Sequence, residues 1–250
     1  LKKLGTAPLA SESIVQGAFL NSGSIADAIR EAVASGGIST KEVAIAVSGH
    51  SVIVKKVSLA VQGQEELADS IQWEAEQYIP FDVNGVHLDF QILDTSEGEG
   101  QMDVLLVAAK RDLVDDYVQV ISEAGLNPVA IDVAGFAIQN AYEANYEQEP
   151  EAVVALVNIG AQVVNINVLR DGIPAFTRDI MTGGAQYTEE IQKALSVSFD
   201  EAERIKKGSL DDGDQAQDVI PQEVEQAMRS VSDTVIGEIS RSLDFFAATS

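Results

Sequence analysis

Cysteine is absent from this 250-residue chain, tryptophan occurs once and histidine twice. Without cysteine there can be no disulfide, no thiolate metal site and no cysteine nucleophile. The two histidines, His50 and His87, make no ligand spacing. His50 lies in a polar Ser-Gly-His-Ser corner and His87 alternates along a strand, so a structural imidazole is the simpler reading than a catalytic base. Cations are scarce as well: 16 Lys and Arg stand against 40 Asp and Glu, a net charge of −24. That balance opposes phosphate backbones and anionic leaflets, which need clustered Lys and Arg, so nucleic acid is not expected as a partner and a basic peptide would be favoured instead, although an acidic surface more often serves solubility alone. No run approaches the roughly 20 apolar residues of a membrane span. The N-terminus lacks signal-peptide architecture, so the chain reads as cytoplasmic, without direct membrane insertion. Neither a Gly-x-x-x-x-Gly-Lys-[Ser/Thr] loop, a Gly-x-Ser-x-Gly elbow nor a paired-histidine motif occurs, and no catalytic residue or metal ligand is assigned.

What is present is a globular core, since 46% of the residues are hydrophobic. Ser24 and Asp27 suggest the cap of a helix whose inner face is Ile25, Ala28, Ile29, Ala32 and Val33, ended by Gly36-Gly37. After a buried strand, Val43 to Val47, comes a strand-helix-strand-strand module: Val52 to Leu59, a helix around Trp73, Val86 to Leu93, a Gly/Glu-rich turn at Glu97 to Gly100, and Asp103 to Ala109. In its helix Leu67, Ile71, Ala75, Tyr78 and Ile79 form one stripe, and Pro80 is expected to stop it. Trp73 projects to the opposite flank, where it covers a second neighbour or awaits a partner; the usual burial of tryptophan favours the first. A second helix with Leu113, Tyr117 and Ile121 on one ridge leads to a strand at Val129 to Val133. The acidic, Pro-containing segment Glu143 to Glu151 reads as a linker. Beyond it lie strands Val153 to Ile159, Val163 to Leu169 and Ile173 to Ile180, with an Asp171-Gly172 hairpin signal, and a closing helix with Val224, Met228, Val231, Val235, Ile239, Leu243 and Phe246 at helical spacing.

Three short elements offer chemistry. Asn158-Ile159-Gly160-Ala161 sits where two strands meet, and Gly160 would let backbone amides approach a phosphate; on these residues alone a structural bend is the preferred reading. Gly183-Gly184 precedes a helix whose unpaired amides would face an anion, or is an ordinary turn. Glu203 and Lys206 share a helix face and could bracket a ribose and adenine, although Asp200 with Glu203 also reads as a capping box.

The wording QWEAEQYIPFD followed by LDFQIL resembles the PilM family, the actin-like proteins of the type IV pilus assembly platform. VAIAVSGHSVIVKKVSL, VALVNIGAQVVNINVLRDG, GGAQYTEEIQKAL and RSLDFF resemble it too, in the same order, so nearly the whole chain is covered. The resemblance implies an α/β, actin-like two-lobed ATPase fold of FtsA and PilM type with an inserted strand-helix-strand-strand subdomain. Residues 1–51 and 127–149 are then the first lobe, 52–126 the insert and 150–250 the second lobe. With Leu1-Lys-Lys-Leu in place of an initiator Met and a helix running almost to the terminus, the sequence is expected to lack both ends of the family's length. The resemblance implies ATP or ADP with Mg²⁺ between the lobes of the intact protein, held through Asn158, Gly160, Ala161, Gly183, Gly184, Glu203 and Lys206. Asn158 stands where the superfamily commonly has an aspartate, and losing that charge weakens the hold on a hard cation, so hydrolysis is expected to be slow or absent. The implied partners are the PilN cytoplasmic tail and other proteins of the inner-membrane platform, which would make the protein peripheral to that membrane. An extended tail near the junction of insert and first lobe is expected to use Val52, Val54, Trp73, Tyr78, Ile79 and Phe81. A small-molecule kinase of the actin superfamily and an FtsA-like division protein are the alternatives; the first needs a catalytic carboxylate, the second a membrane helix.

Overall fold

The computed structural model describes residues 2–10, 13–15, 18–96, 100–147, 149–208 and 221–249. Most of the expected Gly/Glu-rich turn, residues 97–99, lies outside them. The chain divides into two compact units, Leu1–Leu156 with Asn167–Thr177, and Val157–Ile166 with Arg178–Ser250. All of residues 52–126 fall within the first unit.

In the first unit a short hairpin, β1 (Ile14–Val15) with β2 (Ala18–Phe19), precedes α1 (Ser22–Ser35). The cap of α1 is Asn21, whose side chain accepts from the Ser24 amide, and not Ser24 itself. Asparagine and serine cap equally well, and the asparagine at the chain's actual entry into the helix takes the role. Next come β3 (Glu42–Val47), β4 (Val52–Ala60), α2 (Gln64–Ala75), a single 3-10 turn at Val83–Gly85, β5 (Val86–Ser96) and β6 (Gln101–Lys110). Helix α2 ends at Ala75, before Pro80. Both the Tyr78 and Ile79 amides then bond to the Ala75 carbonyl, so the last residues of the expected stripe sit in a turn. Helix α3 (Arg111–Glu123) leads through Gly125, at φ 79°, into β7 (Asn127–Val133), and α4 (Ala134–Glu143) follows. The interior of α4 carries little polar contrast, which is why helical periodicity did not reveal it.

Strand β3 pairs in parallel with β7. The module makes a separate antiparallel sheet in the order β4-β6-β5. Period-two alternation gives this sheet two faces. On one face Val57, Leu59, Val86, Met102, Val104, Leu106 and Ala108 form a core with Leu67, Ile71 and Ala75 of α2 and with Ile79 and Val83. On the other face, cross-strand partners line up as Val52, Ala109 and His87, then Val54, Val107 and Asp89, then Lys56, Leu105 and Gln91. A separate cluster joins Ile25 and Ala26 of α1 to Val120, Ala124 and Leu126.

Strands β8 (Val153–Ile159), β9 (Val164–Arg170) and β10 (Ile173–Ile180) form a sheet in the order β10-β9-β8. Asp171 and Gly172, at φ 52° and 75°, make the turn that Asp-Gly signalled. The second unit adds α5 (Gly184–Leu195), α6 (Phe199–Lys206) and α7 (Gln222–Thr249). Ile191, Ala202 and Val224 bring these three helices onto one core. Ser198, whose side chain accepts from the Glu201 amide, caps α6 in place of the expected Asp200.

Candidate functional site

Two regions carry the expected site residues, one in each unit. In the second unit the turn after β8 and the start of α5 are joined directly: the Gly184 amide donates to the Gly160 carbonyl at 2.8 Å and the Ala185 amide to the Ala161 carbonyl at 2.7 Å. The sequence suggested unpaired amides at this helix start; here they are satisfied by the neighbouring turn. Gly183 is glycine for a steric reason, since a Cβ there would sit 2.4 Å from the Gly160 oxygen and 2.7 Å from the Ala161 oxygen.

Lys206 and Glu203 join the same cluster. Lys206 Nζ lies 2.5 Å from Glu203 Oε2, and it donates to Thr188 Oγ1 at 2.8 Å and to the Gly184 carbonyl at 3.1 Å. Thr188 Oγ1 donates to Glu203 Oε2 at 2.5 Å, and Lys207 reaches the other carboxylate oxygen at 3.2 Å. Burial opposes ionisation of Glu203, but the hydrogen bonds from Lys206, Thr188 and Lys207 outweigh it and bring its carboxyl down to about 2. The pair is therefore an anchored ionic cluster, with side chains only 20% and 26% exposed.

Asn158 stands nearby in sequence on β8, where its Nδ2 donates to Asn165 Oδ1 at 3.1 Å. Asn165 Nδ2 in turn donates to Asp179 Oδ1 at 2.8 Å. A row of polar side chains thus crosses three strands, and its carboxylate is at position 179 rather than 158. Sequence reading missed Asp179, although polar residues at matching places in three largely apolar strands were the available signal. The backbone amides of Gly184 and Ala185, which the sequence offered to an anion, are committed to carbonyls.

In the first unit the six expected partner residues divide between the two faces of the β4-β6-β5 sheet. Val52 and Val54 share a face with Ala109 and Val107. Ile79 is buried in the opposite core, with Tyr78 and Phe81 packed against it. Lys55 Nζ lies 5.6 Å from the Tyr78 ring centroid and Lys110 Nζ lies 4.6 Å from that of Phe81. Trp73 is 76% exposed, against the expectation that it packs inside the chain. The tight stripe of Leu67, Ile71 and Ala75 already seats α2, which leaves the opposite flank in solvent.

The face that carries Val52 and Val54 also borders a cavity of about 530 Å³. Its lining includes His87 to Gln91 of β5, Leu105, Val107 and Ala109 of β6, Ile131 to Val133 of β7 and Phe136 of α4. Five consecutive β5 residues span roughly 16 Å of extended chain. Among the described residues β5 pairs only with β6, and β7 only with β3, so both strands bordering the cavity have an unpaired edge. Apart from His87, none of these lining residues was singled out from the sequence, where an apolar strand residue such as Ile131 reads as core; in the structure it is 38% exposed.

No helix among the described residues is long and apolar enough to cross a membrane. The structure of a PilM-PilN type IV pilus biogenesis complex matches this chain with a TM-score of 0.86 at 28% sequence identity, covering 100% of this chain and 71% of the solved one. Cell division protein FtsA of Bacillus subtilis (strain 168) is 30% identical over 102 residues, 41% of this chain, which spans only 23% of the FtsA length. The mixed α/β architecture fits the actin-like fold expected from the sequence motifs. Since residues 1–250 match the type IV pilus assembly protein PilM family without interruption, and the structure agrees along the same length, the chain belongs to that family.

Proposed function

We propose that this type IV pilus assembly protein captures the cytoplasmic tail of PilN as an extended segment in the cavity between the β4-β6-β5 sheet and β7. The observation that carries this reading is a 530 Å³ cavity bordered by two strands with unpaired edges. Such a site offers main-chain hydrogen bonds to a peptide and pockets for its alternate side chains. Val52 and Val54 extend the same sheet face, and Asp89 and Asp132 add negative charge suited to a basic tail. Of the residues first expected to bind the tail, Trp73, Tyr78, Ile79 and Phe81 lie on the α2 side; Tyr78, Ile79 and Phe81 pack into or against the core there, and Trp73 is exposed. Capture of PilN would hold the protein on the cytoplasmic side of the inner membrane, beside the other platform proteins.

Nucleotide binding by the intact protein is the second part of the proposal, with ATP or ADP and Mg²⁺ near Asn158, Gly160, Ala161, Gly183, Gly184, Glu203 and Lys206. The missing carboxylate at Asn158 favours a conformational role for nucleotide, with slow hydrolysis or none.

The test is calorimetric titration with a synthetic PilN-tail peptide while Trp73 emission is followed. Saturable one-to-one binding without a spectral change fits the cavity. A shifted Trp73 spectrum relocates the peptide to α2, and no binding to a folded sample removes PilN from the proposal. ATP and ADP titrations of the full-length protein, with and without Mg²⁺, check the nucleotide part separately.

A further inference from the structure

The exposed flank of α2 is built unlike an ordinary solvated surface. Glu66, Asp69, Trp73 and Glu76 follow one another at spacings of three and four, so they share one helix face. All four are exposed, and Trp73 is the most exposed large apolar side chain among the described residues, at 76%. Helix α2 itself carries no lysine or arginine, and the cations described on its side of the sheet, Lys55 and Lys110, lie against the Tyr78 and Phe81 rings. An exposed indole flanked on its helix face by Asp69 one turn before and Glu76 one turn after suits a cation that is both flat and rich in donors. Guanidinium meets both demands: it stacks on the ring and gives paired N-H donors to a carboxylate, whereas ammonium is a compact, strongly hydrated point charge.

We propose that this stripe docks an arginine-bearing segment of a partner protein, with guanidinium stacked on Trp73 and bonded to Asp69 or Glu76. The charge of −24 disfavours both a second copy of the chain and any nucleic acid on this face. The surface lies across the sheet from the cavity, so the inference stands apart from the PilN reading and survives its failure.

Trp73 is the chain's one tryptophan and reports directly. The probe is a helical peptide of about four turns with arginines three and four residues apart, compared with its lysine and glutamine versions. The arginine peptide should change Trp73 emission saturably, bind less tightly as salt rises and lose its effect in the glutamine version. Trp73→Ala, followed by calorimetry, should weaken it about tenfold or more. Combining Glu66→Gln, Asp69→Asn and Glu76→Gln should flatten the salt dependence. Unchanged emission, equal binding of the lysine version, undiminished binding by Trp73→Ala, or self-association of the chain abolished by Trp73→Ala would each overturn the proposal.

Discussion

The two faces of the β4-β6-β5 sheet come from the same three strands yet have opposite fates. One face is sealed: Val104, Leu106, Ala108 and Met102 are almost fully buried beneath α2. The other mixes Val54, Val107 and Ala109 with Lys56, Asp89 and Gln91 and borders an open cavity. A sheet that alternates two kinds of residue thus separates holding the fold from meeting a partner at a cost of one residue of register. Substitutions on the two faces should accordingly read out in different experiments.

The largest effect is expected on the sealed face. Leu106→Ala leaves a cavity beneath α2 and should cost about 2–5 kcal/mol, measured by urea denaturation of the chain. Glu203→Gln probes the corresponding sealed cluster of the second unit. The folded carboxyl at about 2 lies below its ordinary 4.5, so ionised Glu203 stabilises the fold above the ordinary value, and that stabilisation is lost as pH falls from there through about 2. The substitution should remove on the order of 2–3 kcal/mol at neutral pH and flatten the acid limb of stability. An unchanged acid limb would show that the cluster does not hold in solution.

Among the β7 residues lining the cavity that the open face borders, Ile131→Asp should weaken PilN-tail binding about tenfold, near 1.4 kcal/mol, with little change in thermal midpoint. If stability falls while binding persists, the contrast between the faces breaks down. The smallest effect is expected at the margin of that face, where Lys56 lies 2.7 Å from Asp103. Hydrogen bonds from Lys56 and Ser58 lower the Asp103 carboxyl below its usual range. Both partners are partly exposed, so Lys56→Ala should cost only about 0.2–1 kcal/mol, and less as salt rises.

The sealed face was legible in the sequence because its signal is periodic: Leu67, Ile71 and Ala75 at helical spacing, Val57 and Leu59 at strand spacing. The strand order was not, since alternation says which way a side chain points and nothing about which strand lies beside it. The cavity escaped for the same reason, as it depends on β5 meeting β7 across more than 30 residues of sequence. At the second unit, Gly160, Gly183, Gly184, Glu203 and Lys206 were read from the sequence as three separate elements, and only the family resemblance put them in one expected site; the bonds that join them to one another were not legible. Those bonds rest on Thr188 and on carbonyl oxygens, groups that sequence patterns do not single out. Trp73 was legible as misplaced and illegible as exposed, because residue averages favour burial while α2 had already filled its inner face.

Crowding at Gly183 reaches beyond packing. A methyl group at that position would meet two carbonyl oxygens of the opposing turn at 2.4 and 2.7 Å. A saturation scan of the chain would therefore score nearly every replacement of Gly183 as damaging, whatever ligand was present or withheld. Intolerance there is a property of the seam between turn and helix, and a genetic map of activity would need tolerant neighbours such as Ala161 before it could tell a ligand's footprint from that seam.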